Sequence, residues 1–352
     1  MKKYIYFLVI VLAFGMLVAC GNESDKEENS EAGSDADNNT EQSGDEYEFQ
    51  LSSMFPEDHP NTAAAKEFIE KVEERSDGRI KIELFPANQL GDPTVVYQEI
   101  GKGTIDMSLM SAPSNFDERL EFLYLPYLVT DFDQLEEVYG LDSYVFETTH
   151  DIHSKQNIKL LGFHGEGFGG IGTTRALDNP ADMDEDKNMM IRIPQMDLFK
   201  KFSESLGFRT VSIPFADLYM ALQTGQAEGW IGGQPASNYT NFKDVLTHYY
   251  QYNNFFEMQS LIINQDIWDG MSEEDQEILQ TAGVEMTTES FKNAEKFDQE
   301  FRDKLEEYGI EVILLEEEEI EKLAQETREN LWPQFKDSLT EEIIDGLLEN
   351  IN

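Results

Sequence analysis

Apolar and polar residues alternate in "YEFQLSS" (47–53), the pattern of a half-buried strand. "NTAAAKEFIEKVEERSDG" (61–78) then reads as a helix, capped by Asn61 or Thr62 and stopped at Gly78. "RIKIELFP" is the next strand, "TVVYQEIGKG" a short helix and "TIDMSLMSA" a further strand. After a less regular stretch, "IKLLGF" (158–163) is another strand. Strands alternating with helices predict an α/β domain with a largely parallel sheet.

The second half repeats the theme. "NMMIRIP" predicts a strand, "MDLFKKFSESLG" a helix ending in glycine, "FRTVSIP" a strand, "FADLYMALQTG" a helix, and "QAEGWIGG" a strand and turn. "EIGKGTID" and "ALQTGQAEG" share a plan: a helix ends at glycine, and two residues lead to an acid, Asp106 or Glu228, at the start of a strand. This reads as a faint internal duplication, two similar α/β domains. The segment 272–309 is one long helical stretch opened by a Ser272–Asp275 capping box. Helices around Leu315–Asn330 and Leu339–Leu348 close the chain, with Glu316–Glu319 as a solvated face.

"HGEGFGGIGTT" (164–174) follows the strand "IKLLGF" and contains Gly165-x-Gly167-x-x-Gly170. A dinucleotide site would need a helix directly after the glycines to receive the pyrophosphate. Here Pro180 and a polar run follow instead, so no cofactor is expected. Glycine accepts large backbone changes, which suits a hinge where one α/β unit passes to the next. Two hinged domains imply a cleft, and clefts between domains are preferred ligand sites.

The remaining chemistry narrows the class. Lys2 and Lys3 precede an apolar run, Tyr4–Val18, too short for a comfortable membrane span, which reads as an export signal. It ends in "LVACG", which looks like a bacterial lipobox, with Cys20 as the lipid-bearing residue and the only cysteine of the chain. No intrachain disulfide is then possible. Residues 20–46 hold no large apolar side chain, so they are expected to be a disordered tether. The whole chain has 352 residues, with 71 acids against 26 bases and a net charge of −45. That balance argues against a nucleic-acid partner.

"EDHP", "KVEERSDGRIKIELFPANQLGD", "GTIDMSLMS", "LPYL", "IRIP", "SIPFADLYMALQTGQAEG" and "MSEEDQEILQ", in this order, closely resemble the solute receptors of tripartite ATP-independent periplasmic (TRAP) transporters, the DctP type. The resemblance runs from about Glu48 to the C-terminal helices. It implies a periplasmic-binding-protein-like fold: two hinged α/β domains around a ligand cleft, linked by a long C-terminal helix. The expected division is 1–19 signal peptide, 20–46 tether, 47–165 plus about 257–297 domain I, and 166–256 plus about 298–352 domain II. The implied role is non-catalytic. The receptor would be a lipid-anchored monomer outside the cytoplasm, passing a small organic anion to the membrane subunits of a TRAP transporter.

In that family an arginine in the "IRIP" strand pairs with the ligand carboxylate, which points to Arg192. The physical case is separate: a planar guanidinium gives a bidentate carboxylate clamp, and Arg192 is one of eight arginines in a very acidic chain. Phe55 and Phe215 are candidate cleft walls, Ser111 a hydrogen-bond donor, and Gln195 and Asn238 further polar candidates at strand exits or loops. Two departures stand out. Gly169 occupies a place where many members carry a second arginine, and Arg175 follows six residues later. The "TGQAEG" block continues as Trp230-Ile231-Gly232-Gly233-Gln234-Pro235 and lacks the family's ligand-contacting asparagine. Trp230 is therefore a candidate for either ligand wall or interdomain packing.

The rival readings are an enzyme, a receptor for an ATP-driven importer, and a structural lipoprotein without a cleft arginine. For an enzyme, His164 with Glu166 is a possible acid–base pair. His150 and His153 lack a third ligand at metal-site spacing, and "HDIHSKQN" reads as a polar helix end, so no metal is expected.

Overall fold

The computed structural model describes residues 45–351; the expected signal peptide, Cys20 and almost all of the tether lie outside them. The first lobe begins with β1 (Tyr47–Ser53), α1 (Pro60–Arg75), β2 (Ile80–Phe85), α2 (Pro93–Lys102), β3 (Met107–Met110) and, after a mostly helical stretch, β4 (Ile158–Phe168). The chain crosses through β5 (Gly170–Thr173) into a second lobe, which adds β6 (Met190–Ile193), β7 (Arg209–Ser212), β8 (Gly229–Gly233) and β9 (His248–Gln251). It crosses back as β10 (Phe256–Asn264), and β11 (Glu311–Leu314) later joins the second lobe.

The sheet orders are β2-β1-β3-β10-β4 and β11-β9-β5-β8-β6-β7. In each lobe three strands run parallel in the order second, first, third. The neighbour of the third is antiparallel and is a crossing strand, β10 in one sheet and β5 in the other. The sheets are thus mixed rather than largely parallel. β10 escaped the sequence pattern because it is buried along most of its length and shows no alternation. The duplicated plan extends to chemistry. Asp106 accepts a hydrogen bond from Gln50 N (2.7 Å) and Glu228 from Met190 N (3.1 Å), so each acid fastens its strand to a neighbour.

Several local expectations shift by a residue or a role. The cap of α1 is His59, whose ring accepts from Asn61 N, because Pro60 fits the first helical position and leaves Asn61 and Thr62 inside the buried first turn. "HDIHSKQN" does end a helix, Tyr144–Ser154, but His153 in its last turn is fully buried, 2.8 Å from the Tyr97 hydroxyl. The long helix, Glu273–Tyr308, is capped by Ser272 and ended by Gly309 at φ 105°. Phe68 and Val72 of α1 share a core with Leu279 and Met286 of this helix. Farther along it, Asp298 accepts from Gln251 in the second lobe at 3.0 Å, so the helix reaches both lobes.

The terminal helices Glu317–Asn330 and Glu341–Asn350 do not sit with the second sheet, where 298–352 was expected. Arg328 donates to Tyr127 O (2.8 Å), Trp332 to Pro126 O (3.0 Å) and the Tyr144 hydroxyl to Glu342 O (3.0 Å). All three first-lobe partners lie in the mostly helical stretch before β4, whose apolar residues pack in one core with those of the terminal helices.

Candidate functional site

The glycine-rich stretch is strand rather than loop. β4 continues to Phe168, and β5 starts at Gly170. Beside it the return path runs antiparallel: Phe256 pairs with Phe168, Ile171 with Tyr250, and Gly169 N donates to Phe255 O at 2.8 Å. The two lobes are therefore joined by a pair of adjacent strands and the long helix. Gly167 sits at φ 136°, a conformation that L side chains rarely adopt. At Gly169 a Cβ would lie 2.7 Å from the Phe255 ring. An arginine at 169 has no room beside that ring.

In front of this crossing lies a cleft of about 320 Å³. Phe55, Ser111, Tyr124 and Gln259 reach it from the first lobe, and Arg192, Phe199, Phe215, Trp230 and Gln234 from the second. Phe255, Glu166 and Glu257 line it from the crossing strands.

Arg192 stands at the end of β6 with 6% of its surface exposed. Its Nε donates to Ile213 O at 2.7 Å, and its guanidinium lies over the Phe215 ring, 5.9 Å from the centroid. Among the described residues no carboxylate pairs with it. Burial pulls its pKa down to about 10, still well above neutrality. A buried cation without a counter-ion is costly.

The other sequence candidates divide. Phe215, half exposed, and Trp230 form one wall, with ring centroids 6.1 Å apart. Trp230 also packs on Phe242 in the second-lobe core, so it serves as wall and packing at once. Phe55 stacks on His59 at 4.4 Å on the opposite side. Ser111 accepts from Gln259 Nε2 at 3.1 Å. Asn238 is fully buried and spent internally: it accepts from Trp230 Nε1 (3.0 Å) and donates to Gly233 O and Gln234 O. It fixes the tryptophan instead of lining the cleft. Gln195 is exposed and outside the lining. Arg175 is bound to Glu228 (2.9 Å) and Asn188 O, away from the cleft lining.

Glu166 and Glu257 are what the sequence reading left out of the cleft. Glu166 accepts from Asn61 (2.7 Å) and Gln259 (2.6 Å) of the first lobe and from Gln234 (3.0 Å) at the end of β8 in the second. It is a clasp across the cleft, not half of an acid–base pair with His164, with which it shares no hydrogen bond. Burial raises the Glu166 carboxyl to about 7, against the pull of the three amides. Glu257 is pushed well above the usual carboxylate range, by burial first and then by Glu166. Gln234 carries no motif that separates it from an ordinary strand-end amide, and Gln259 and Glu257 lie on the strand the pattern missed.

A profile of the bacterial extracellular solute-binding proteins, family 7 (DctP), matches residues 51–338. The chain belongs to this family. As a DctP protein it is a transport receptor, without catalytic turnover. It is 26% identical over 221 residues to the sialic acid-binding periplasmic protein SiaP of Vibrio cholerae, covering 62% of this chain and 68% of that one. It is 27% identical over 259 residues to the 2,3-diketo-L-gulonate-binding periplasmic protein YiaO of Escherichia coli, covering 71% and 76%. A solved TRAP periplasmic solute binding protein from Ochrobactrum anthropi matches the DctP fold seen here with a TM-score of 0.79 at 21% identity, over 87% of this chain and 95% of that one.

Proposed function

We propose that the protein holds a small organic acid between its lobes, with the carboxylate on Arg192, and delivers it to the membrane subunits of a TRAP transporter. The observation that carries this reading is the buried, unpaired guanidinium in an interlobe cleft. A carboxylate replaces the water lost on burial with two parallel charge-assisted hydrogen bonds. Nε is already tied to Ile213 O, so the two terminal nitrogens remain for the ligand. Phe215 and Trp230 exclude water around the pair, which strengthens it. The two relatives named above are called after sialic acid and 2,3-diketo-L-gulonate, both carboxylic acids.

Closure would be driven by ligand contacts from both lobes, with the crossing strands at Gly167–Gly170 taking up the change. The lipobox-like "LVACG" at Cys20 and the acidic segment after it support a lipid-anchored receptor that works outside the cytoplasm, tethered near its transporter. Small-angle scattering with and without a carboxylate found to bind by calorimetry tests this. Compaction at saturation is expected, with the ligand recovered unchanged. An unchanged profile, or consumption of the ligand, refutes the receptor reading.

A further inference from the structure

The cleft has a second pole that a simple carboxylate leaves unused. Arg192 is the one cation among its lining residues, and Glu166 and Glu257 are both there as well. Glu166 is already solvated by three side-chain amides. Glu257 is different: among the described residues it receives no hydrogen bond and meets no cation, and its charged neighbour is Glu166. It stands on β10 opposite Gly167, with its side chain part of the cleft lining.

The rest of the lining offers little to a polyhydroxylated acid. Gln259 and Gln234 donate to Glu166, and Ser111 is bonded to Gln259. What remains is mostly rings: Phe55, Tyr124, Phe199, Phe215, Trp230 and Phe255. Aromatic faces suit either an apolar body or a cation. A second ligand carboxylate would face two acids and no second guanidinium, and like charges in a dry cleft repel strongly.

We propose that the natural ligand is a compact zwitterion: a carboxylate on Arg192, a small ring or aliphatic body between the aromatic walls, and a protonated nitrogen hydrogen-bonded to Glu257. This rests on the receptor reading above and names its ligand class. The cation supplies the counter-charge Glu257 lacks, and Glu166 behind it adds to the attraction. The cleft then selects by charge pattern, accepting one negative and one positive end and rejecting dianions.

The test is calorimetry on the purified protein, dialysed free of co-purifying ligand. L-proline, L-pyroglutamate and cyclopentanecarboxylate share a five-membered ring and a carboxylate, but carry an ammonium, a neutral N–H and no donor. D-galacturonate and succinate represent hydroxylated acids and dianions. A hydrogen bond to a charged group contributes about 1.5–3 kcal/mol, so proline should bind roughly tenfold to a hundredfold tighter than the two ring-matched acids. Glu257→Gln should reduce that ratio below about threefold. If pyroglutamate, cyclopentanecarboxylate, galacturonate or succinate is the tightest binder, or the ratio survives Glu257→Gln, the zwitterion assignment is overturned while the receptor reading stands. Mass spectrometry of the ligand released from wild-type protein is independent of how the variant folds. An amino or amidino acid is expected, and a nitrogen-free acid overturns the proposal. If neither the panel nor any released carboxylate binds, the receptor reading itself falls.

Discussion

Replacing Arg192 by methionine should separate stability from binding. Burial holds the guanidinium at a pKa of about 10, down from its ordinary value, which corresponds to about 3 kcal/mol against the charged form. The group is a depressed cation, so this cost is fully present at every pH below about 10 and is relieved only above it. Methionine removes the charge and keeps most of the volume. It forfeits the Nε bond to Ile213 O, about 1 kcal/mol, and leaves that carbonyl to water in the cleft. The unliganded variant should therefore be more stable than wild type by about 1–2 kcal/mol, read as a higher urea midpoint at unchanged slope. Binding should move the other way. Truncating one partner of a buried charge pair costs about 2–5 kcal/mol, or roughly thirtyfold to several thousandfold in affinity. Arg192→Lys should also bind poorly, because an ammonium cannot reproduce the planar fork. The assays are urea unfolding and calorimetry on the same preparations. If Arg192→Met lowers stability and still binds within threefold of wild type, Arg192 is a structural residue and the cleft argument fails.

Other outcomes follow from the same geometry. Cys20→Ser should move the protein from the membrane to the soluble fraction; retention on membranes after a salt wash counts against the lipid anchor. Gly169→Ala should destabilise by about 1–3 kcal/mol, since its Cβ would press on the buried Phe255 ring, and a change within 0.5 kcal/mol would mean the ring yields freely. Glu257 is raised by burial and by Glu166, with the Tyr124 and Tyr139 rings also facing it. A raised carboxyl favours the fold below its unfolded pKa and loses that advantage as pH rises towards its folded pKa. Glu257→Gln should thus match wild-type stability near pH 4 and exceed it near pH 7 in urea titrations without ligand, and equal stabilities at both pH values would refute the burial of that charge.

Parallel βαβ units were legible as strings: α1, α2 and their strands, then the second set from Met190 to Gly233, carry clear periods and glycine stops. Arg192 became a candidate through the "IRIP" block of the resembled family, with the scarcity of arginine in so acidic a chain beside it. Local pattern, composition and block order sufficed for these, since each depends on neighbours in sequence. The crossing strands did not follow from pattern. β10 is buried along most of its length and pairs with strands about 100 and 150 residues earlier, and the glycines at 165–172, Gly169 apart, became strand because β10, β9 and β8 lie beside them. The terminal helices joined the first lobe because their apolar residues pack in one core with those of its mostly helical stretch. Glu166 and Glu257 entered the cleft for the same kind of reason. A carboxylate's role is set by which amides and cations surround it, and those come from α1, β8 and β10, elements far apart in sequence that only the folded chain brings together.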